Sequence, residues 1–431
     1  MKIKLTKKQT KAIKLLNKKS INEVLFGGSA GGGKSFLGCV WIIYCCVKYP
    51  QSRWLIGRSK LKNLKQTTLR TFFEVANMMD LQNEVHFNYN AQSGEITFYN
   101  GSEVILKDLF LYPSDPNFDA LGSLELTGAF IDEVNQISKK AKDIVQSRIR
   151  FKLEDYNLTP KMFMSCNPAR NWVYEEFYKP WKENKIKDYR AFIPALATDN
   201  PNISPLYLEN LARLDDVDKQ RLLEGNWEYS EEGMLFDFDQ LVRMFTEEKH
   251  EKGRDSRYMT IDVAREGKDK TVIFIWEGLD VIHHVVEEKS NIMTLSETIN
   301  ELEREWRVSY TIADEDGVGG GVVDVARVDG FRGGASPVMK ENYANLRTQC
   351  YHYLAKTIKH MRIYSYDSTI KESIIQELAQ IKRVKLGSDG KYTINSKDDI
   401  KQRIGRSPDY ADALMMRMYY EIYNSGLVGY V

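Results

Sequence analysis

Two groups of residues in this sequence carry chemistry. The first is Gly28-Ser29-Ala30-Gly31-Gly32-Gly33-Lys34-Ser35, which fits the pattern G-x-x-x-x-G-K-[ST]. An apolar strand-like stretch precedes it at 24–26 and an apolar helical stretch follows it. The glycines free successive backbone N–H groups to turn inward around phosphate oxygens, and the N-terminus of the next helix adds a favourable partial charge. Residues Gly28 to Ser35 are therefore expected to cradle ATP, with Lys34 on the β- and γ-phosphates and Ser35 as a ligand of Mg²⁺. The second group is a set of carboxylates after residue 240: Asp262, Asp314, Asp316, Asp409 and Asp412.

The phosphate loop has partners further along. Ile131-Asp132-Glu133 closes an apolar strand. Asp132 at the strand end can hold the Mg²⁺ shell, and Glu133 can act as general base on the attacking water. Alone, such a pair could equally be an acidic N-cap; beside the loop it points to hydrolysis rather than small-molecule phosphorylation. Ser165-Cys166-Asn167-Pro168 ends the next strand. Asn167 can sense the γ-phosphate there, and an Asn-Pro turn is the equal alternative. Arg58 is the candidate charge-stabilising arginine, with Arg148 and Arg150 competing for that role. Gln9 precedes the first core strand and could read adenine or sit solvated on a helix.

In the second half the pattern is strand-Asp, strand-Asp, helix-Asp-x-x-Asp. Asp262 lies in MTIDVA, Asp314 ends TIAD, and Asp409 and Asp412 open the last helical stretch, SPDYADALMM. The i, i+3 spacing of the last two puts them on one face. Carboxylates converging from separate elements repel unless cations join them. The set suits two Mg²⁺ or Mn²⁺ ions that activate water and steady a leaving 3′ oxygen. Asp314 is preferred over Asp316 because it follows the apolar strand directly, and both are kept. Any one of these residues alone could be a cap or a turn.

The elements that must position these groups follow from the periodicity. Strands alternate with helices through the first half, which means a mainly parallel α/β sheet. The pattern predicts a first domain over 1–240, a charged linker at 241–257 (EEKHEKGRDSR within it) and a second α/β domain over 258–431 with its own strands, a strand pair near Gly278 and a hairpin near Gly387-Ser388-Asp389-Gly390. The chain has 431 residues, enough for two cores. Its 42% hydrophobic and 28% charged content argue against a mainly disordered chain. No apolar run is long enough to span a membrane, and no secretory signal is seen. Five cysteines in irregular spacing predict reduced core residues, and six histidines form no metal pattern. With 61 Lys+Arg against 60 Asp+Glu, the net charge of +1 excludes a uniformly basic DNA-coating surface.

Taken in order, GGSAGGGKS, IDE, SCNP, IDVA, ADEDGVGGG and PDYADAL resemble the large terminase subunit of tailed bacteriophages over nearly the whole chain. The resemblance implies an additional-strand P-loop ATPase domain followed by an RNase H-like, resolvase-type nuclease domain. It implies ATP-driven translocation of double-stranded DNA into a procapsid, cleavage of concatemeric DNA, and action in the cytoplasm of the infected host. It implies a portal protein and a small terminase subunit as partners, and a homo-oligomeric ring, a pentamer, on the procapsid. Lys34 and Ser35 match the Walker A positions, Asp132 and Glu133 Walker B, Ser165 to Asn167 the coupling motif, and Asp262, Asp314 and Asp412 the nuclease acids, with Asp409 as helper. Many members carry a basic residue inside the phosphate loop; Ser29 to Gly33 has none, which moves the arginine role to Arg58 or elsewhere. A helicase-nuclease of repair or defence and a non-enzymatic ATP-gated DNA-binding scaffold are the competing readings.

Overall fold

The first strand, β1 (Glu23–Gly28), is buried at every position. Its run of apolar residues lacks polar alternation, as expected of a parallel strand covered on both faces. The computed structural model describes residues 3–112, 115, 117–229, 233–251, 253, 255–264, 270–287, 291–316, 319–364, 366–384 and 390–428. They form two units, Met1–Glu231 and Glu232–Val431.

In the first unit, β1 belongs to an eight-stranded sheet with β2 (Arg53–Arg58), β3 (Phe87–Asn90), β4 (Glu95–Phe98), β5 (Glu103–Asp108), β6 (Gly128–Ile131), β7 (Lys161–Cys166) and β8 (Arg190–Ala195). The order is β3-β4-β5-β2-β6-β7-β1-β8. All pairings from β5 to β8 are parallel, and β3 and β4 add an antiparallel edge. Strand β7 thus lies between the strand that enters the phosphate loop and the strand that ends at Asp132. This is the additional strand that the resemblance implies.

The helix Lys34–Lys48 lies directly on this sheet. A Cβ at Gly38 would stand 2.2 Å from the Phe130 ring, so only glycine lets the helix approach β6 this closely. Trp41, Trp54, Phe130 and Phe163 fill the interface in edge-on and stacked contacts. The helix Lys7–Leu16 starts in a reciprocal cap between Thr6 and Gln9.

The second unit holds a five-stranded sheet: β9 (Arg257–Asp262), β10 (Thr271–Glu277), β11 (Asp280–Glu287), β12 (Tyr310–Asp314) and β13 (Asp329–Phe331), in the order β11-β10-β9-β12-β13. Strand β10 runs antiparallel to both neighbours, and β12 runs parallel to β9 and β13. Counted from β9 this is 3-2-1-4-5 with the second strand reversed, the RNase H-like arrangement. The helix Ile292–Trp306 buries Leu295, Ile299 and Leu302 with Met259, Ile261, Ile273 and Ile275. The helix Asp409–Met416 is buried at every residue, aspartates included.

The described residues of 233–251 pack within the second unit. The Leu235 N–H donates to Ile381 O at 2.9 Å and the Thr246 N–H to Ile363 O at 3.2 Å, with the helix Phe238–Arg243 between. The segment read from sequence as the end of the first domain and a linker thus contributes backbone pairing to the second unit. Two short strands, Arg383–Val384 and Thr393–Ile394, pair where the hairpin was expected. Its tip at 387–389 and the turn at 317–318 lie outside the described residues. No helix among the described residues is long and apolar enough to cross a membrane. All five cysteines are buried and unpaired.

Candidate active sites

The phosphate loop closes around its own lysine. Lys34 Nζ donates to Gly28 O at 3.2 Å, to Ser29 O at 2.5 Å and to Asn167 Oδ1 at 3.0 Å. All three acceptors of the ammonium are neutral oxygens. Burial lowers its pKa, and the charges of Glu133 and Asp132 oppose that shift. Gly31 and Gly33 have φ of 77° and 70°, the left-handed region. A Cβ on Gly31 would meet Ile203 at 2.4 Å, and one on Gly33 would meet Gln9 Nε2 at 2.7 Å. Neighbouring segments brace the loop backbone: Ser29 N–H on Ala195 O at 2.8 Å, Ala30 N–H on Leu222 O at 2.7 Å, and Asn200 Nδ2 on Gly31 O at 2.8 Å. Gln9 is nine-tenths buried or more, and its amide is engaged at both ends, Nε2 on Gly33 O and Oε1 on the Thr6 N–H. Gln9 holds the loop.

Asp132 is the centre of a hydroxyl cluster. Its Oδ1 accepts from Ser35 Oγ at 2.9 Å and Ser165 Oγ at 2.5 Å, and its Oδ2 from Thr68 Oγ1 at 2.6 Å. A buried carboxylate requires such donors. Glu133 follows in a left-handed conformation (φ 53°). Burial raises its pKa, the Asp132 charge adds to this, and Lys34 and Arg58 pull it back. A carboxylate held up in this way is suited to accept a proton. The Arg58 guanidinium donates to Thr67 Oγ1, and its Nε is buried with no hydrogen-bond partner among the described residues. Arg148 is tied to Gly122 O at 2.8 Å and Arg150 to Glu125 at 3.5 Å, so both competitors are engaged with the chain near 122–125.

The second-unit carboxylates also come together. Asp262 ends β9, Asp314 ends the neighbouring β12, and Asp409 and Asp412 open the buried helix. Burial raises the Asp262 pKa well above the usual range; the charges of Asp409, Asp412 and Asp314 add to it, and Lys397 opposes them. Lys397 Nζ lies 2.9 Å from Asp412 Oδ2 and 3.9 Å from Asp262 Oδ1. Arg347 Nε contacts Asp412 Oδ1 at 3.2 Å and Tyr351 Oη donates to it at 2.7 Å. Burial alone would raise Asp412, but Lys397, Arg347 and the Tyr351 hydroxyl hold it down at about 2. Asp409 Oδ2 accepts the Lys270 N–H at 2.9 Å. Burial also raises Asp314. Asp316 is exposed, and its backbone N–H donates to Asp314 Oδ1 at 3.2 Å.

Among the described residues, no three Asp, Glu, His or Cys side chains stand together closely enough to hold a metal ion as they are. The Lys397 ammonium stands between Asp262 and Asp412 instead, as their counter-charge. The donor set still fits Mg²⁺ or Mn²⁺, because every candidate ligand is a hard carboxylate oxygen and the cluster draws in positive charge.

Residues 19–225 match the sequence model of the phage terminase large subunit family. Over these residues, just under half of the chain, the sequence is similar to that family. The terminase match spans every strand of the first sheet, the phosphate loop, Asp132, Glu133 and Asn167; the Asp262 cluster lies beyond it. No curated protein matches the chain. Among solved structures, the large terminase of a thermophilic bacteriophage in complex with ADP is similar at 13% identity and a TM-score of 0.45, covering 95% of this chain and 98% of that one. The nuclease domain of the large terminase subunit gp2 of bacterial virus Sf6 is similar at 22% identity and a TM-score of 0.38, covering 43% of this chain and 97% of that one.

Several residues of the two candidate sites were not visible in the sequence. Thr68 sits in a polar stretch with no motif. Lys397, Arg347 and Tyr351 reach Asp412 from two other helices, and only the fold brings them there. The one available signal for Lys397 was Ser396, whose reciprocal cap with Asp399 starts a short helix at that lysine.

Proposed function

We propose that this chain is the ATP-driven motor that packages double-stranded DNA into a phage procapsid, and that its second unit cuts concatemeric DNA with a two-metal endonuclease. The observation that carries the reading is one chain holding two separate clusters of candidate site residues. Lys34, Ser35, Asp132 and Glu133 meet at the end of a terminase-family sheet, and Asp262, Asp314, Asp409 and Asp412 meet in an RNase H-like unit.

In the ATP site, Lys34 exchanges the Gly28, Ser29 and Asn167 oxygens for the β- and γ-phosphates of ATP. Ser35 and Asp132 would hold Mg²⁺, which would supply positive charge to offset that of the phosphates. Glu133 takes the proton of the attacking water. Arg58, with a free buried Nε, offers its charge toward the γ-phosphate. Asn167 is released from Lys34 when nucleotide binds and so reports occupancy to β7.

In the nuclease site, Asp262, Asp314 and Asp412 are the ligands, with Asp409 beside them and Asp314 assigned ahead of Asp316. Two Mg²⁺ or Mn²⁺ ions would supply an activated water and Lewis-acid stabilisation of the leaving oxygen. Lys397 offsets the mutual repulsion of Asp262 and Asp412 in their absence. By the resemblance, the motor acts as a ring, a pentamer, on the portal, receives DNA from the small subunit, and works in the cytoplasm of the infected cell.

The test is a packaging assay with procapsids carrying their portal. ATP-dependent protection of DNA from added nuclease, lost in Lys34→Ala, is the expected result. Strand separation in place of protection would favour a helicase-nuclease, and ATP binding without turnover would favour a scaffold.

A further inference from the structure

Thr67 and Thr68 sit at a break between two helices, Leu61–Gln66 and Thr68–Met78, and Thr67 departs from helical geometry at φ −127°, ψ −77°. The break aims two adjacent hydroxyls in different directions. Thr67 Oγ1 donates to Asn63 O at 2.8 Å and accepts from the Arg58 guanidinium. Thr68 is 1% exposed, and its Oγ1 donates to Asp132 Oδ2 at 2.6 Å. Asp132 thereby presents its other oxygen, Oδ1, to Ser35 at 2.9 Å. Nothing else among the hydrogen bonds described for Asp132 engages Oδ2.

We infer that Thr68 is a positioning residue for the metal of the ATP site: it acts through Asp132, holding the carboxylate so that Oδ1 faces Ser35. The inference rests on the ATP-hydrolysing reading above. Partners that orient a ligating group tune metal affinity without touching the metal. A threonine that only satisfied a buried carboxylate would affect folding and leave the metal dependence of nucleotide binding alone. The same dipeptide also anchors Arg58, so the Asp132 carboxylate and the candidate catalytic arginine share one short mechanical element.

The test uses the full chain and compares wild type, Thr68→Ala, Thr68→Val and Thr68→Ser. Binding of ATP is titrated by calorimetry in chelator and again with Mn²⁺, and Mn²⁺ uptake by the nucleotide complex is followed by electron paramagnetic resonance. Thr68→Ala and Thr68→Val should weaken Mn²⁺ in the ternary complex by about 10-fold or more while leaving metal-free ATP affinity unchanged, and Thr68→Ser should restore wild-type behaviour. Equal Mn²⁺ affinity in all four proteins overturns the positioning role and leaves the ATPase reading standing. Equal loss of metal-free and metal-dependent binding in Thr68→Ala, with no rescue by serine, assigns Thr68 to folding alone and also overturns it. A wild type that binds no ATP in either condition overturns the ATP-site reading itself, and the inference with it.

Discussion

The ammonium of Lys34 lies 3.0 Å from Oδ1 of Asn167, a residue 133 positions away at the end of the strand inserted beside β1. If the site takes ATP as proposed, the lysine assigned to phosphate is held by the residue assigned to sense it. Nucleotide and Asn167 would then compete for the same donor, which would give β7 a direct reason to respond to occupancy.

Asn167→Ala should therefore separate binding from turnover. A hydrogen bond to a charged group contributes about 1.5–3 kcal/mol. Its loss should leave ATP affinity equal or slightly tighter, because Lys34 has one partner fewer to give up. It should lower kcat by about 10- to 100-fold if the bond re-forms or is exchanged during the cycle. Steady-state kinetics alongside nucleotide titration measures both quantities. An unchanged kcat would remove Asn167 from the mechanism.

Lys397→Ala should destabilise the second unit when metal is absent, because Asp262 and Asp412 would then face each other with less opposing charge. The Lys397 side chain is 37% exposed, so solvent screening reduces the effect to about 1–2 kcal/mol. Added Mn²⁺ should raise the unfolding temperature of Lys397→Ala more than that of wild type, since the ion supplies the missing charge. Thermal unfolding with and without Mn²⁺ checks this. An equal response in the two proteins would mean that Lys397 and metal do not share the carboxylates.

His352 should make the second unit acid-sensitive. It packs against Tyr343 and Tyr392. Burial, then the nearby charges of Arg383 and Lys356, lower its pKa from 6.5 to about 4. The unfolded chain then binds more protons than the folded one between these values. The histidine's contribution is thus fully present above pH 6.5 and is lost as pH falls toward 4. His352→Gln should flatten the fall of unfolding temperature across that window relative to wild type. Parallel pH profiles for the two proteins would contradict the assignment.

The parts of the two sites written contiguously in the sequence were legible there. The phosphate loop is one run of residues with a strand before it and a helix after it, and the strand-end acids announce themselves because apolar residues lead up to them. The packing of separate segments was not legible. Gln9 reads as a candidate adenine contact or a solvated helix residue, and neither reading reveals the contact of its amide with Gly33. Alternating strands and helices reveal a parallel sheet but not that β7 inserts between β1 and β6. Thr68 and Lys397 sit in polar stretches whose residue types are those of any solvated helix, and only the long-range contacts to Asp132 and Asp412 distinguish them.

The central claim is that one chain carries two separable active sites. The direct measurement compares wild type, Lys34→Ala and Asp262→Ala for ATP hydrolysis and for plasmid cleavage with Mg²⁺ or Mn²⁺. The account predicts that Lys34→Ala loses hydrolysis by about 100-fold or more while still cutting DNA, and that Asp262→Ala loses cutting while still hydrolysing ATP. Undiminished cutting by Asp262→Ala, or no metal-dependent cutting by wild type with either ion, would contradict it.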